Sequence, residues 1–303
     1  MEGESLAVSS STTQSSKPSF SADSNYRSKL IINSFEFTKV VEKLRSFFLK
    51  KNFVEAHPQN RLSILAACED PFNVATFDYV GTCWPLPQTG QMWLEYELLN
   101  DDSVPGYFCL STSYRQEKNP VDGRHDLIFP LFEFEMKGDL EEMIKLEKEL
   151  LVYLGYDENK FQRGEYDLVA KKYGVKELEN EHETKLYEEH SPTFFLTDFP
   201  EHTDPFWNMK RNLKNNTAKK VDVIMSGQET IGSAERETDP EIMLNRFKTI
   251  CEGSYCAKMY ELFGEERTMK EMKDYLSFNF FPRSGGGIGM TRLMRSMKLE
   301  GLI

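Results

Sequence analysis

One strand–loop–strand segment in the first half of the chain carries side chains that could bind a nucleoside triphosphate. Arg115 and Glu117 close the predicted first strand, Arg124 and His125 lie in a basic loop, and Phe129 opens the second strand. Guanidinium forks match phosphate oxygens, and an aromatic face can stack on a base. The pattern favours a nucleotide-binding hairpin. The alternative is an ion pair between Arg115 and Glu117, which on a surface contributes little to stability.

A glycine-rich segment near the end of the chain, GGGIGMTRLMR, makes this interpretation stronger. Three consecutive glycines, beginning at Gly285, allow a backbone to approach a ligand closely. We predict a terminal helix over residues 288–299, whose free N–H groups would face an anion. Arg292 would lie in its first turn, within reach of a phosphate. The glycine spacing fits neither a Rossmann nor a Walker A loop, and a Gly-rich turn without a ligand remains the alternative.

A third segment, VDVIMSGQETIGSAERE, supplies acids that could hold a metal ion. Asp222 and Glu229 are seven positions apart, with a predicted turn at Gly227 between them. Such a turn can bring both carboxylates to one end of a sheet, where they would hold Mg²⁺ on triphosphate oxygens. Arg236 could bind a small carboxylate or amide. Ordinary surface charges around a turn are the alternative reading.

The composition bounds what kind of protein this is. The 303 residues are 39% hydrophobic with a net charge of −12, which disfavours unaided, non-specific nucleic-acid binding. No apolar run approaches the roughly 20 residues of a membrane helix. The five cysteines and five histidines show no metal-ligand spacing, so we predict reduced thiols in a cytoplasmic compartment. Residues 1–26 are Ser/Thr-rich and lack the apolar centre of a secretory signal, so we predict a disordered tail before one domain at 27–303.

The elements that must position these residues follow from periodicity and from turn residues. Predicted helices cover residues 28–52, 91–100, 139–156, 166–173, 240–249, 271–276 and 288–299. Predicted strands cover residues 53–58, 75–80, 82–86, 193–196 and 221–225, in addition to the two that flank the basic loop. Hairpins with helices between them indicate an α+β fold, with a mainly antiparallel sheet flanked by helices.

Several motifs resemble the catalytic core of the class II aminoacyl-tRNA synthetases, in the aspartate/asparagine/lysine subgroup. The first helix and FVEAHP resemble motif 1, with Pro58 as its proline. YRQE (114–117) is similar to the FRAE of motif 2, and GRH…F (123–129) to its loop and adenine-stacking Phe. GGGIGMTRL (285–293) resembles motif 3. The motifs occur in family order and span residues 27 to about 300.

Other segments resemble the asparaginyl type within this subgroup. TGQMWLE (89–95) is similar to SGQLxLE, and TDFP (197–200) with PFWNM (205–209) also matches the asparaginyl pattern. DVIMSGQETIGSAERE (222–237) resembles the segment with the metal-binding acids and the substrate-reading Arg. The loop around VDGRH also resembles the archaeal-type asparagine synthetases, which are class II cores without the anticodon-binding domain.

The resemblance implies ATP and Mg²⁺ as cofactors and a role for each candidate residue. The ATP site would comprise Arg115 on the α-phosphate, Glu117 on the adenosine or the amino acid amine, Arg124 and His125 on the distal phosphates, Phe129 and Arg292 around the adenine, and Gly287. Asp222 and Glu229 would bind Mg²⁺, Gln91 the substrate amino group, and Arg236 the substrate side chain. Arg115 and Arg292 would stabilise the transition state.

The resemblance leaves three functions open. A synthetase-like ligase would activate aspartate or asparagine and pass it to tRNA. An asparagine synthetase would activate aspartate and use ammonia. A non-catalytic paralogue would act as a regulator, which is somewhat favoured by Thr291 and Ile128, where the family usually has acids. Only the Ser-rich tail precedes the domain, so we expect no anticodon-binding OB barrel. We also expect a homodimer, with an apolar face on residues 31–48 as its seam.

Overall fold

The computed structural model describes residues 32–58, 62–66, 70–118, 120–121 and 123–303. The tail predicted over residues 1–26, the first residues of the predicted first helix and Cys68 lie outside the described residues.

Nine helices and ten strands make up the described part of the chain. The helices are α1 (Ser34–Lys50), α2 (Gln91–Asn100), α3 (Leu140–Leu154), α4 (Tyr166–Tyr173), α5 (Asn180–Glu189), α6 (Pro240–Thr249), α7 (Ser254–Phe263), α8 (Glu265–Leu276) and α9 (Met290–Leu299). The strands are β1 (Val54–Glu55), β2 (Thr76–Tyr79), β3 (Thr82–Pro85), β4 (Gly106–Tyr114), β5 (Ile128–Lys137), β6 (Phe161–Glu165), β7 (Thr193–Phe199), β8 (Ala218–Met225), β9 (Gln228–Glu235) and β10 (Arg283–Gly289).

Eight of the strands form one sheet in the order β1-β4-β5-β10-β9-β8-β7-β6, and β2 and β3 form a separate hairpin. The pairs from β4 to β7 are antiparallel, whereas β1 pairs with β4 and β6 with β7 in parallel at the two edges. The predicted α+β class is therefore confirmed.

Side-chain caps set several helix boundaries. Asn33 accepts hydrogen bonds from the first backbone N–H groups of α1, and Asp239 does the same for α6. Asp139 and Glu142 form a reciprocal capping box at the start of α3, which ends at Gly155 in the left-handed conformation. These caps satisfy N–H and C=O groups that a helix end leaves without partners.

The principal core lies between one face of the sheet and helices α1, α3 and α9. Alternation along the strands places Phe132, Phe134 and Ile288 on this face. The predicted dimer seam must be corrected here. The apolar face of α1, from Val40 to Phe48, is buried in the core of its own chain, because this stripe covers the aromatic sheet face. Phe35 remains 83% exposed, at the start of the helix.

The structure also corrects the glycine-rich segment. The glycines lie in the central strand β10, and the helix begins only at Met290. Glycine disfavours strands as well as helices, so its presence predicted a turn. Helices α5 and α7, strands β6 and β9 and the start of α8 were not predicted either. Their apolar residues are too few or too interrupted for a clear period.

No helix within the described residues is both long and apolar enough to cross a membrane. The four cysteines of the described chain, Cys83, Cys109, Cys251 and Cys256, are free thiols.

Candidate active site

A cavity of about 410 Å³ opens on the sheet face opposite the principal core. It brings together ten of the predicted site residues: Gln91, Arg115, Glu117, Arg124, His125, Phe129, Glu229, Arg236, Gly287 and Arg292. The two arginines from distant segments, Arg115 and Arg292, therefore face one space. The eleventh predicted residue, Asp222, is buried beside the wall formed by Glu229 and Gly232.

The floor of the cavity is the glycine strand β10, which lies between β5 and β9. Gly287 pairs with Glu133 on one side and with Gly232 on the other. A Cβ atom at Gly285 would overlap a carboxylate oxygen of Glu135 and lie 2.5 Å from Gln91 Nε2. Glycine is required there because a Cβ atom would also lie 2.5 Å from the backbone carbonyl oxygen of Phe134, which cannot move aside. The floor therefore presents main chain to a ligand.

The basic loop lies at one end of the cavity. Strand β4 ends at Tyr114, so Arg115 and Glu117 lie beyond the strand and do not share a strand face as predicted. The guanidinium of Arg115 lies 5.4 Å from the centre of the Phe129 ring. Glu117 Oε2 contacts His125 Nδ1 at 2.8 Å. Cationic and aromatic groups thus stand together, as recognition of a nucleotide requires.

Arg124 and Arg292 come from the loop and from helix α9, and hydrogen bonds hold both. Arg124 pairs with Glu183 of α5 and donates to the Gly227 carbonyl at 3.2 Å. Arg292 donates to the carbonyl of Glu229 at 2.6 Å and to that of Arg124 at 3.0 Å. The two guanidinium groups are therefore fixed at the turn between β8 and β9.

The two predicted metal acids approach each other across Gly232. A Cβ atom at Gly232 would lie 3.0 Å from Glu229 Oε1 and 3.6 Å from Asp222 Oδ1. Asp222 Oδ2 accepts from Lys220 at 2.7 Å, while Oδ1 is buried with no hydrogen-bond partner among the described residues. The side chain of Glu229 keeps 40% of its surface accessible from the cavity. Two converging carboxylates, one of them with an unsatisfied oxygen, are a donor set that suits a hard divalent cation.

The pKa values of the two acids are shifted in opposite directions. Burial, together with repulsion from Glu229, raises the pKa of Asp222 to about 7 although Lys220 lies beside it. Burial also opposes the charge of Glu229, but the nearby cations Lys220, Arg292 and Arg115 lower its pKa. At neutral pH Glu229 is therefore ionised, while Asp222 can gain or lose a proton readily. Within the part of the chain that the structure describes, no third acid, His or Cys completes a metal cluster.

The other end of the cavity is a buried network of acids and arginines. Arg236 bonds Glu135 at 3.2 Å and lies 3.5 Å from Glu95. Arg283 bonds Glu95 at 2.7 Å, and both side chains are fully buried. Gln91 donates to Glu135 and to the Phe134 carbonyl. Two cations thus balance two acids, and the pocket has little net charge.

The two acids of this network, Glu135 and Glu95, have pKa values shifted in opposite directions. Burial, with repulsion from Glu95, raises the pKa of Glu135 to about 7. Burial opposes the charge of Glu95, yet Arg283 and Arg236 together lower its pKa. Tyr275 donates to Glu95 at 2.6 Å, and Asn208 Nδ2 does so at 2.7 Å. Since Asn208 Nδ2 is taken by the ionised Glu95, its Oδ1 is left buried and without a partner in the described structure.

Sequence reasoning missed four acids that shape the site: Glu95, Glu133, Glu135 and Glu183. Glu133 and Glu135 alternate along β5, and the same segment had already been assigned to a strand, so period two could have placed them beside Phe129. Glu95 ends the TGQMWLE motif and could have been found from the helical spacing to Gln91. Glu183 gave no signal, because its helix was not predicted.

Comparison with known proteins agrees with this geometry. Residues 22–301 match the family model of tRNA synthetases class II (D, K and N). No curated protein sequence matches the chain. Asparaginyl-tRNA synthetase from Pyrococcus horikoshii, solved with asparaginyl-adenylate, is 23% identical and has a TM-score of 0.71 over 87% of this chain and 64% of that one.

Two structures from Entamoeba histolytica are similarly related. Its asparaginyl-tRNA synthetase, also with asparaginyl-adenylate, is 18% identical with a TM-score of 0.70, over 88% of this chain and 63% of that one. Its aspartyl-tRNA synthetase is 19% identical with a TM-score of 0.65, over 87% of this chain and 54% of that one. This chain thus spans less than two thirds of the length of these three relatives. Since the family model covers nearly the whole chain, the protein belongs to the class II tRNA synthetases of the aspartate, lysine and asparagine group.

Proposed function

We propose that the protein activates asparagine with ATP, forming asparaginyl adenylate and releasing pyrophosphate. The observation that carries this proposal is the division of one cavity into two ends over a glycine floor. One end gathers the cations Arg115, Arg124 and Arg292, and the other holds Arg236 among buried acids. A triphosphate fits the first end, and a small neutral amino acid side chain fits the second.

The reaction needs positioning and charge stabilisation more than acid–base chemistry. An oxygen of the substrate α-carboxylate attacks the α-phosphorus, the bond from that phosphorus to the bridging oxygen breaks, and pyrophosphate leaves with the electron pair. No general base is required, because the nucleophile is already ionised. Arg115 would neutralise charge on the α-phosphate in the transition state, and Arg292, beside the adenine, would offset charge near the γ-phosphate.

The remaining residues of the cationic end would bind the rest of ATP. Phe129, held beside the Arg115 guanidinium, would stack on the adenine with Arg292 as the second layer. Arg124 and His125 would attend the distal phosphates. Glu117, now in contact with His125, would face the adenosine or the amine. Gly287 leaves the floor open for the ribose and phosphates.

Asp222 and Glu229 would hold Mg²⁺. The unsatisfied Asp222 Oδ1 and the space over Gly232 support this role. The metal would neutralise oxygens of the triphosphate when bound. The residues of the chain would contribute two carboxylate ligands and leave the other positions to phosphate and water.

The substrate side chain would enter the buried network. Gln91 would orient the amino group, and Arg236 would donate to the side-chain oxygen. A carboxamide would also donate its N–H groups to Glu95 and to the unpartnered Asn208 Oδ1. The β-carboxylate of aspartate carries no such donors and would meet an ionised acid. The pocket therefore supports asparagine over aspartate, and it disfavours an asparagine synthetase that would start from aspartate.

The acceptor and the assembly are further parts of the proposal. Family membership supports tRNA as the acceptor of the activated amino acid, with ammonia as the alternative. A homodimer would form through the outer surface of α1 and the edge strand β1, where Phe35 and Val54 are exposed. The free thiols of the described cysteines support a reducing, cytoplasmic compartment.

Amino-acid-dependent ATP–pyrophosphate exchange tests the activity. We expect exchange with asparagine and much less with aspartate. Glu95→Gln should lower the preference for asparagine by about 10- to 100-fold. Asn208→Ala provides a second variant if Glu95→Gln does not fold. Exchange with neither amino acid would overturn the proposal and favour the regulator, whereas exchange with aspartate alone would favour the ammonia-dependent enzyme. Adding tRNA or ammonia to the active mixture then identifies the acceptor.

A further inference from the structure

Four residues around the turn between β8 and β9 form a closed ring of hydrogen bonds. The Arg124 guanidinium pairs with Glu183 Oε2, and the same oxygen accepts from the backbone N–H of Glu229 at 2.9 Å. The carbonyl of Glu229 accepts from Arg292 Nη1 at 2.6 Å. Arg292 closes the ring by donating from Nη2 to the carbonyl of Arg124 at 3.0 Å. One carboxylate oxygen thus joins the basic loop to the strand that carries a metal acid.

Glu183 is the one member of this ring that lies outside the three segments of the proposed ATP and Mg²⁺ site. It comes from α5, which is inserted between β6 and β7. His182 and Leu186 are buried on the inner side of α5, and the helix packs against β7, β8 and β9. Only 20% of the Glu183 side chain is exposed. The carboxylate is therefore held by a packed helix rather than by a free surface turn.

The hydrogen bonds of Arg124 show that the ring holds its guanidinium in place. Both terminal nitrogens are engaged, one by Glu183 and the other by the Gly227 carbonyl. Its Nε atom is buried and has no hydrogen-bond partner in the described part of the chain. The guanidinium is thus anchored by two partners at the wall of the cavity that it lines.

We infer that Glu183 is a positioning residue for Mg²⁺–ATP, which fixes Arg124 and the Glu229 backbone without touching either ligand. This inference rests on the proposed function. Ordering an arginine and a loop segment when ATP binds would cost conformational entropy, and a preformed ring removes part of that cost from the binding step. The buried negative charge of Glu183 is balanced by Arg124, so the ring keeps both groups in place together.

If Glu183 instead competed with ATP for Arg124, its removal would change the affinity for ATP in the opposite direction. If the carboxylate merely competed with the triphosphate for Arg124, removing it would free the guanidinium and tighten ATP binding. The positioning role instead predicts weaker ATP binding and a higher Mg²⁺ requirement, with little change for the amino acid. The buried network around Arg236 lies at the other end of the cavity and shares no member with the ring.

The experiment compares Glu183→Ala and Glu183→Gln with the wild type and with Glu181→Ala, which removes an exposed acid from the same helix. ATP–pyrophosphate exchange is measured against ATP, Mg²⁺ and asparagine separately. For Glu183→Ala we expect the KM for ATP to rise about tenfold and the Mg²⁺ midpoint to rise severalfold, with the asparagine KM within about twofold. Glu183→Gln keeps an acceptor oxygen for Glu229 and should recover part of the loss. Glu181→Ala should match the wild type.

A second measurement does not require activity. Trypsin cuts after Lys118 and Arg124, and mass spectrometry can follow these cuts in the folded protein. We expect faster cleavage at Arg124 in Glu183→Ala, and protection by Mg²⁺–ATP at higher nucleotide concentrations than in the wild type. An unchanged or lower KM for ATP, an equal rise in the asparagine KM, or unchanged cleavage would overturn the inference. A wild type that exchanges with no amino acid would instead overturn the proposed function, while the cleavage result still decides the role of Glu183.

Discussion

The two faces of the central sheet carry different chemistry, although alternate residues of the same strands form both of them. On β5, Phe132 and Phe134 face the helices, whereas Glu133 and Glu135 face the cavity side. On β8, Val221 and Val223 lie in the principal core and Asp222 lies between them on the opposite side. One face holds the domain together, and the other presents charges at fixed spacing.

The difference is clearest in how each face treats a buried carboxyl group. On the cavity side the buried acids Asp222 and Glu135 each have a cation beside them, Lys220 and Arg236 respectively. On the helix side, Glu147 of α3 is buried in the core and accepts from Ser233 Oγ at 2.6 Å. Burial raises the pKa of Glu147 to about 8. A carboxyl group without a cation partner therefore stays protonated, whereas the paired ones remain close to ionisation.

The largest effect should come from removing a cation on the cavity face. Arg115→Ala should lower the rate of ATP–pyrophosphate exchange by about 10³-fold, because the transition-state charge on the α-phosphate loses its partner. The melting temperature should remain within about 2 °C, since no core contact is lost. Arg163→Ala, which removes a surface arginine paired with Glu141, is the control. A near-normal rate in Arg115→Ala would remove this residue from the catalytic site.

A smaller effect should link metal binding to pH. Asp222 must lose its proton to bind Mg²⁺, and its pKa is raised to about 7. The apparent affinity for Mg²⁺ should therefore fall as pH drops below 7, by up to about tenfold per unit, and should level off above pH 8. Mg²⁺ titrations of exchange at pH 6, 7 and 8 measure this.

Asp222→Asn serves as the control for this titration, because its weak binding should no longer vary with pH beyond the protonation of ATP itself. Equal slopes in the variant and the wild type would show that Asp222 does not titrate with the metal.

The smallest effect on the exchange reaction should come from the helix face, where a substitution should change stability alone. The pKa of Glu147 in the folded chain is about 8, against the ordinary 4.5 of an exposed Glu. Between these values the folded chain binds the proton and the unfolded chain does not, so stability falls as pH rises toward 8. Glu147→Gln is neutral at every pH. Between pH 5.5 and 8.5 it should lose about 3 kcal/mol less than the wild type, or roughly 5 °C in melting temperature.

Thermal unfolding across this pH range measures the difference, with Glu149→Gln on the outer face of the same helix as the control. Parallel curves for Glu147→Gln and the wild type would contradict the assignment of a proton to Glu147. Asp222 is the acid whose charge adds to the shift, so Asp222→Asn should reduce it slightly.

Several helices and one turn were predictable from the sequence, because local residue patterns mark where they begin and end. Helices α2, α4 and α6 have the predicted bounds, and the acids at 222 and 229 do flank a turn at Gly227. Pattern reasoning failed where the local preference of a residue opposes its place in the fold. The glycines of β10 prefer neither helix nor strand, and only the flanking strands β5 and β9 impose the extended conformation.

The site was predictable as a set of residue types but not as a set of contacts. The sequence could indicate that Arg115 and Arg292 bind one ligand, because each lies in a motif whose residues are suited to binding an anion. It could not show that Arg236 is shared between Glu95 and Glu135, or that Arg124 is held by Glu183. Those partners are 59 to 141 positions apart along the chain, and only the packing of α2, α5 and the sheet brings them together.

The glycine floor also limits how this site can change by mutation. Along β10 the surface offered to a ligand is peptide backbone, whose position is fixed by its neighbours on both sides and has no rotamers to vary. A side chain at Gly285 would collide with Glu135 and Gln91, so even alanine is sterically forbidden there. At Gly287 a Cβ atom would meet only ordinary contacts, from 3.5 Å, so the restriction on the floor applies at Gly285. Altered substrate choice can arise more easily in the walls, at positions such as Asn208. An engineer seeking new ligands for this site would begin with wall positions such as Asn208 and leave Gly285 untouched.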